Sequence, residues 1–248
     1  MIVNVLKIEL KEILPLRNLF LQETNFQIRY NACHERGWTD SYILTHEGTK
    51  IGYGSIKGNE NLSDRDTLFE FYMVPTYRHL ASTAFLALLE LSGVNFIECQ
   101  TNDLFLTSLL YQYGQDINSG PILFEDHVKT DITMGHIIFR RRKAGDIVFE
   151  HKSEPVGEYV LELNDEIVAT GGFLLHYNFP FADLFMEVKE DDRRNGLGSL
   201  LIQELKTQCY LTGRVPAARC DIKNHASKAT LIKAGFRIAG FMLLGRVK

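Results

Sequence analysis

The chain has 248 residues, 45% of them hydrophobic and 23% charged, with a formal net charge of -4 and a pI of about 6.1. Such a chain can bury a full core as one large domain or two small ones, which excludes a disordered or fibrous protein. Its mild acidity offers no general attraction to nucleic acid or anionic membrane, and no apolar run approaches the roughly 20 residues of a membrane span.

The four cysteines, Cys33, Cys99, Cys209 and Cys220, have the spacing of neither a zinc site nor a disulfide framework. The eight histidines are scattered, so no metal is expected. Lys7, Glu9, Lys11 and Glu12 interrupt any leader pattern. The expectation is a cytoplasmic monomer or homodimer with a small-molecule or peptide partner.

In chain order, the spacing predicts a helix over 10–22, then a hairpin from Tyr42-Ile43-Leu44 through a turn at Glu47-Gly48 to 51–56. The stretch 68–73 alternates Phe69, Phe71 and Met73, a strand with one buried face. A short strand over 95–100 precedes a helix ending near Gly114, a candidate C-terminal cap. Residues 131–154 combine strand patterning with a charged joint. The basic run 140–143 needs no explanation beyond a strand end or linker.

A second hairpin comes next, 159–163 and 167–173 around Asn164-Asp165. After it come a strand over 184–188 and a helix with the apolar stripe Leu197, Leu200, Leu201 and Leu205. A turn at 212–216, a strand over 217–222 and a helix ending near Gly235 complete the series.

This order repeats. A shift of 115 positions carries Phe69, Phe71 and Met73 onto Leu184, Met186 and Val188, and Arg78 onto Arg193. Beyond the next helix the shift becomes 122 and carries Asn102 onto Asn224, the extra residues belonging to the 212–216 turn. Two copies of one unit are therefore expected, 1–144 and 145–248, each α/β (α+β) with a sheet and flanking helices.

The stretch from Val188 to Gly198 runs from a strand into a helix through Arg193, Arg194, Asn195 and Gly196. Unpaired N–H groups and the positive dipole end of a helix start attract anions, and phosphates use such starts. Glycines let the backbone approach the ligand closely. By its own chemistry this is a phosphate cradle.

Here the sequence resembles the GNAT superfamily of N-acetyltransferases. Arg193-x-x-Gly196-x-Gly198 after the strand ending at Val188 is similar to the family's acetyl-CoA signature. Asn224-x-x-Ser227 and Lys233-Ala234-Gly235-Phe236 are similar to its next motif, and the match covers about 157–248. The first half has only the outline, Met73-x-Pro75-x-Tyr77-Arg78, with Ala81 and Thr83 at the two glycine positions. Methyl and branched side chains there would crowd a pyrophosphate, so the first copy resembles a degenerate GNAT domain.

The resemblance implies two mixed, mostly antiparallel sheets flanked by helices. In the second copy, 184–188 and 217–222 would splay apart to admit the pantetheine arm. Acetyl-CoA would be held by Val188, Arg193, Arg194, Asn195, Gly196, Leu197, Gly198 and Ser199, with Asn224 and Ser227 on the pantetheine side. Acetyl would pass directly to an amine: a small amine, an amino acid or a peptide N-terminus. The alternative is a non-catalytic acyl-CoA binding or sensing module, because the tyrosine that often serves as acid in the family is replaced by Leu231. The second copy also lacks the family's leading helices, and the first half is the expected cover for the acceptor side.

Glu187 has two readings, a general base for the amine or a buried carboxylate paired with a cation, for which Arg219 is the plausible partner. Asp183 and Asp221 read as strand-end residues. Tyr210 reads as packing and Cys33-His34 as an incidental pair. Trp38, Tyr42 and Tyr30 could line an acceptor pocket or belong to a core.

Overall fold

A computed structural model of the chain describes residues 2–23 and 31–248. Its contacts form two compact units. One holds Asn31–Gly120, Gly240–Lys248 and the described residues ahead of Asn31; the other holds Pro121–Ala239. The expected boundary lay near 145, whereas the units divide at Gly120 and Pro121. Tyr30 lies outside the described residues.

The first unit opens with β1 (Asn4–Ile8) and α1 (Leu10–Glu23). Helix α1 buries Ile13, Leu16, Arg17 and Phe20, an apolar stripe at helical spacing interrupted by one cation. A short α2 (Asn31–Glu35) leads into β2 (Thr39–His46) and β3 (Thr49–Lys57). Their turn has positive φ at both Glu47 and Gly48, the twist that suits a two-residue hairpin. Next come β4 (Thr67–Met73), a 3-10 turn at Pro75–Leu80, α3 (Ala81–Ser92), β5 (Phe96–Gln100) and α4 (Leu104–Tyr113).

Strands β1 to β4 pair antiparallel in sequence order, and β4 pairs parallel with β5 only at Thr67 and Leu68. The far side of β5 is covered antiparallel by the 242–246 part of a C-terminal strand. Every residue of β4 is buried, so both of its faces are covered where alternation predicted one. Tyr42 belongs to this core.

Helix α4 does not close on a left-handed glycine. Gly114 is extended, at φ -103° and ψ 160°, and the chain passes straight into β6 (Gly114–Asp126). The second unit takes β6 from Pro121 onward and adds β7 (Ile137–Arg141), β8 (Tyr159–Leu163) and β9 (Glu166–Leu174). Beyond them lie β10 (Phe181–Val188), a 3-10 turn at Glu190–Asp192, α5 (Leu197–Leu211), β11 (Val215–Cys220), α6 (His225–Lys233) and β12 (Phe236–Val247). Strand β12 leaves this unit at Gly240 and supplies the C-terminal pairing of β5.

Strands β7 to β10 pair antiparallel. Strand β10 pairs parallel with β11 only from Phe181 to Asp183, while β11 from Ala217 to Cys220 pairs with β6. Both units therefore carry a mixed, mostly antiparallel sheet flanked by helices. Pro216 lies inside β11 rather than in the preceding turn; it still pairs with Ala182 in register. Gly235 does take the left-handed conformation, φ +91°, directly after α6. Asp183 is a buried residue within β10, not a strand end.

Candidate functional site

Strand β10 and the helix after it are joined by the segment that carries the phosphate-cradle pattern. The Glu190–Asp192 turn ends at Arg193, whose backbone is extended at φ -65° and ψ 160°. Arg194 and Gly196 then take φ values of 66° and 85°. Left-handed φ costs an L-residue roughly 1–2 kcal/mol, so Gly196 is the residue that makes the turn affordable. The chain re-enters a right-handed helix at Leu197.

The turn orients a run of donors. Ser199 and Leu200 both give their N–H to the Gly196 carbonyl, at 3.1 and 3.2 Å. The five preceding N–H groups, from Arg194 to Gly198, donate to no acceptor among the described residues. The Arg193 and Arg194 side chains line the cavity at this turn, and the Lys233 ammonium lies 3.4 Å from where a Cβ on Gly196 would stand. Free N–H groups at a helix start, with three cations beside them, are what a pyrophosphate needs.

The cavity holding this turn has a volume of about 630 Å³. Val188, Arg193, Arg194, Gly196, Leu197, Gly198, Ser199, Asn224 and Ser227 all line it, as does Glu187; Asn195 does not. Two expected contacts are committed elsewhere. The Ser199 hydroxyl donates to the Thr230 carbonyl at 3.2 Å, tying α5 to α6. The Asn224 side chain caps α6, accepting from the Ser227 N–H at 3.0 Å. Gly198 serves packing as well as access, since a Cβ there would sit 3.1 Å from Thr230 Cγ2 and 3.2 Å from Met186 Cε.

Glu187 corrects the expected pairing. Its carboxylate accepts backbone N–H groups from Lys152 at 2.9 Å, Ser153 at 3.1 Å and Glu154 at 2.9 Å. The Ser153 hydroxyl adds a contact at 3.3 Å, and the Arg193 guanidinium stands 3.7 Å away. Arg219 instead lies 3.9 Å from Asp183, which also accepts from the Tyr177 hydroxyl at 2.6 Å. Burial alone would raise the proton affinity of Glu187, but the three backbone donors and the nearby His151 outweigh it and lower the pKa. A carboxylate can be satisfied by backbone donors no less than by a cation, and residue spacing gives no sign of which.

The 151–154 segment is the part of the site that sequence reasoning missed. It is strapped to β9 and β10: His151 Nε2 meets the Thr170 hydroxyl at 3.1 Å, and Lys152 pairs with Glu190. Ser153 and Glu154 line the cavity beside Met186, Glu187 and Val188. The second unit thus lines this wall of its cavity with a segment of its own. The only sequence signal was the Lys-Ser-Glu-Pro run, which reads as an ordinary loop.

Other candidates are absorbed by structure. Tyr210 donates to Asp126 at 2.8 Å; burial, then that bond, push its pKa up to about 12. Leu231 is buried. Arg140 is held by Asp146 and Glu162, and Asp146 is lowered to about 2, first by its bond to Arg140. Within the basic run, Arg140 is therefore engaged in ion pairs and Arg142 donates to the Gly157 carbonyl at 3.2 Å. Cys33 has its pKa raised by burial, and His34 faces Glu70 at 3.3 Å.

Comparison with known proteins agrees with the geometry. An acetyltransferase (GNAT) domain matches residues 9–127, and the acetyltransferase (GNAT) family matches residues 125–236. No curated protein matches. An acetyltransferase from the GNAT family of Colwellia psychrerythraea superposes with a TM-score of 0.76 at 14% identity, covering 99% of this chain and 100% of that one. A tandem GNAT protein from the clavulanic acid biosynthesis pathway, solved without AcCoA, gives 0.60 at 11% identity over 99% and 98%. A GCN5-related N-acetyltransferase from Sphaerobacter thermophilus gives 0.56 at 12% identity over 84% and 81%. At these identities the solved structures speak for the fold.

Proposed function

Because the chain belongs to the GNAT superfamily and is an acyltransferase, we propose that its second unit binds acetyl-CoA in the 630 Å³ cavity and transfers acetyl directly to an amine. The observation that carries this reading is the run of five free N–H groups from Arg194 to Gly198 at the left-handed turn, with Arg193, Arg194 and Lys233 beside it. The residues present fit the pyrophosphate in charge, in donor number and in access. When bound, acetyl-CoA supplies an acetyl group activated as a thioester.

The chain's own residues orient the two reactants. The turn holds phosphate charge at one end of the cavity. Strand β10 ends at Val188 on the same wall, and the strap at Ser153 and Glu154 flanks it. The gap that opens after Asp183, where β10 and β11 cease to pair, gives a path for the pantetheine arm. Arg193 Nε donates to the Val188 carbonyl at 3.1 Å, which fixes the guanidinium at the strand end. Holding nucleophile and thioester together lowers the entropic part of the barrier. With Leu231 where a tyrosine acid is common, the departing thiol takes its proton from solvent, which its pKa of about 8.5 permits.

The test is turnover. Purified protein with acetyl-CoA and a panel of aliphatic amines, amino acids and peptides should release free thiol in step with N-acetylated product, the latter identified by mass. Tight CoA binding with no product from any amine would refute catalysis and leave a sensing module.

A further inference from the structure

We propose that Glu154 receives the acceptor, holding its amine as an ammonium ion and then taking its proton; this rests on the acetyl-transfer reading above. Three carboxylates surround the acceptor side of the second unit, Asp183, Glu187 and Glu154. Asp183 is occupied by the Tyr177 hydroxyl and the Arg219 guanidinium. Glu187 is saturated by the strap's backbone N–H groups. Only Glu154 combines a place in the cavity wall beside β10 with a carboxylate that makes no hydrogen bond or ion pair among the described residues.

The backbone around Glu154 is nonetheless fixed. Its N–H goes to Glu187 Oε2 at 2.9 Å, and its carbonyl accepts from His151 Nδ1 at 3.0 Å. Glu187 thus acts as the receptor for the strap, and the strap presents a free carboxylate in the cavity wall that Val188 also lines. Asp192 also lines the cavity, but it sits beside Arg193 at the anion-binding turn, the wrong end for an amine. Partial desolvation, then the negative charges of Asp183 and Glu187, raise the pKa of Glu154 against the opposing influence of the Arg219 guanidinium and His151. A carboxylate crowded by two others attracts a cation and holds a proton better than a free one, and both suit this task.

The step balances. The ammonium proton moves to the Glu154 carboxylate, and the freed nitrogen lone pair attacks the thioester carbonyl carbon. The C–N bond forms as the C–S bond breaks, and the sulfur leaves as thiolate. The second proton on nitrogen passes to solvent, as does the one on Glu154.

The experiment compares Glu154→Gln and Glu187→Gln with the unaltered chain, using acetyl-CoA and the best amine from the panel. For Glu154→Gln, kcat should fall about 100-fold or more, and the acid limb of the kcat/KM profile should disappear. Affinity for CoA, read by calorimetry, should hold. For Glu187→Gln, the amide sets an NH2 against the strap's donors, so trypsin should cut faster after Lys152. KM for the amine should then rise while the acid limb remains. A Glu154→Gln protein with the original rate and pH profile, or loss of the limb only in Glu187→Gln, overturns the proposal. Absence of turnover in the unaltered chain would instead count against the transfer reading itself.

Discussion

In both units an arginine grips the end of a strand. Arg78 Nε donates to the Met73 carbonyl at 3.1 Å, and Arg193 Nε donates to the Val188 carbonyl at the same distance. Beyond the arginine the two backbones diverge. After Arg78 the backbone stays helical through Leu80 into Ala81, which has φ -54° and ψ -48°. After Arg193 it is extended, then left-handed, before α5 begins.

The space between the strands differs too. In the first unit Phe105 stacks on Phe71 at 5.8 Å, and Arg78 is covered by Glu23 and by the Phe105 ring at 4.8 Å. The repeat places Ser227 where Phe105 stands and Met186 where Phe71 stands. The cavity is accordingly about 210 Å³ in the first unit and about 630 Å³ in the second. One backbone plan leaves a wide cleft or a narrow one according to whether two aromatic rings and a continuous helix close it.

The largest effect comes from cutting the chain. A fragment of residues 145–248 lacks the strands that pair with β8 and β11, and leaves those edges bare. It should aggregate, whereas residues 121–239 should stay soluble and bind CoA. Gel filtration with calorimetry checks this, and a monodisperse 145–248 fragment with full CoA affinity would break the division at Gly120.

Next in size is Glu70, buried in the first unit where the repeat has Phe185. Arg17 holds it with bonds of 3.0 Å, the Tyr53 hydroxyl donates at 2.9 Å, and His34 stands 3.3 Å away. Burial pushes the Glu70 pKa up, but Arg17 and His34 more than offset this and hold it well below the usual carboxylate range. A depressed folded-state pKa means stability that is present above about pH 4.3, the ordinary glutamate value, and lost as pH falls below it. Glu70→Gln should cost about 3–5 kcal/mol at pH 7 by leaving the Arg17 charge buried alone, and the cost should shrink in acid. Urea unfolding at pH 7 and pH 3, the latter more than one unit below the ordinary glutamate value, measures both; an equal cost at the two values would remove the ion cluster from the account.

The smallest effects concern the turn itself. Gly198→Leu should weaken CoA binding by about 100-fold, which is about 2.8 kcal/mol, because the side chain meets Thr230 and Met186 and enters the cradle. Thr83→Gly should change nothing in affinity or stoichiometry, since Phe105 and the helical Ala81 remain. Calorimetry of both variants sharpens the comparison: a second CoA site in Thr83→Gly would mean that one side chain alone closed the first cleft.

The local pattern was legible in the residues. Alternation marked the strand at 68–73 and its partner ending at Val188, and the stripe from Leu197 to Leu205 marked α5. The glycines at 196 and 198 against Ala81 and Thr83 marked which half enters its helix through a left-handed turn. These are properties of neighbours in the chain: side-chain period, turn propensity and the steric cost of a Cβ at positive φ.

The long-range choices were not legible. Nothing in the spacing of Glu187 says that backbone N–H groups 33 to 35 positions away will fill its oxygens, or that Arg219 will turn to Asp183. The return of Gly240–Lys248 to β5 is likewise hidden, because any exposed strand edge offers the same row of donors and acceptors. Period and propensity act within a few residues. The choice of partner for a buried charge or an open edge is made only when distant segments compete for it in the folded chain, and that competition decided which carboxylate was left free in the cavity.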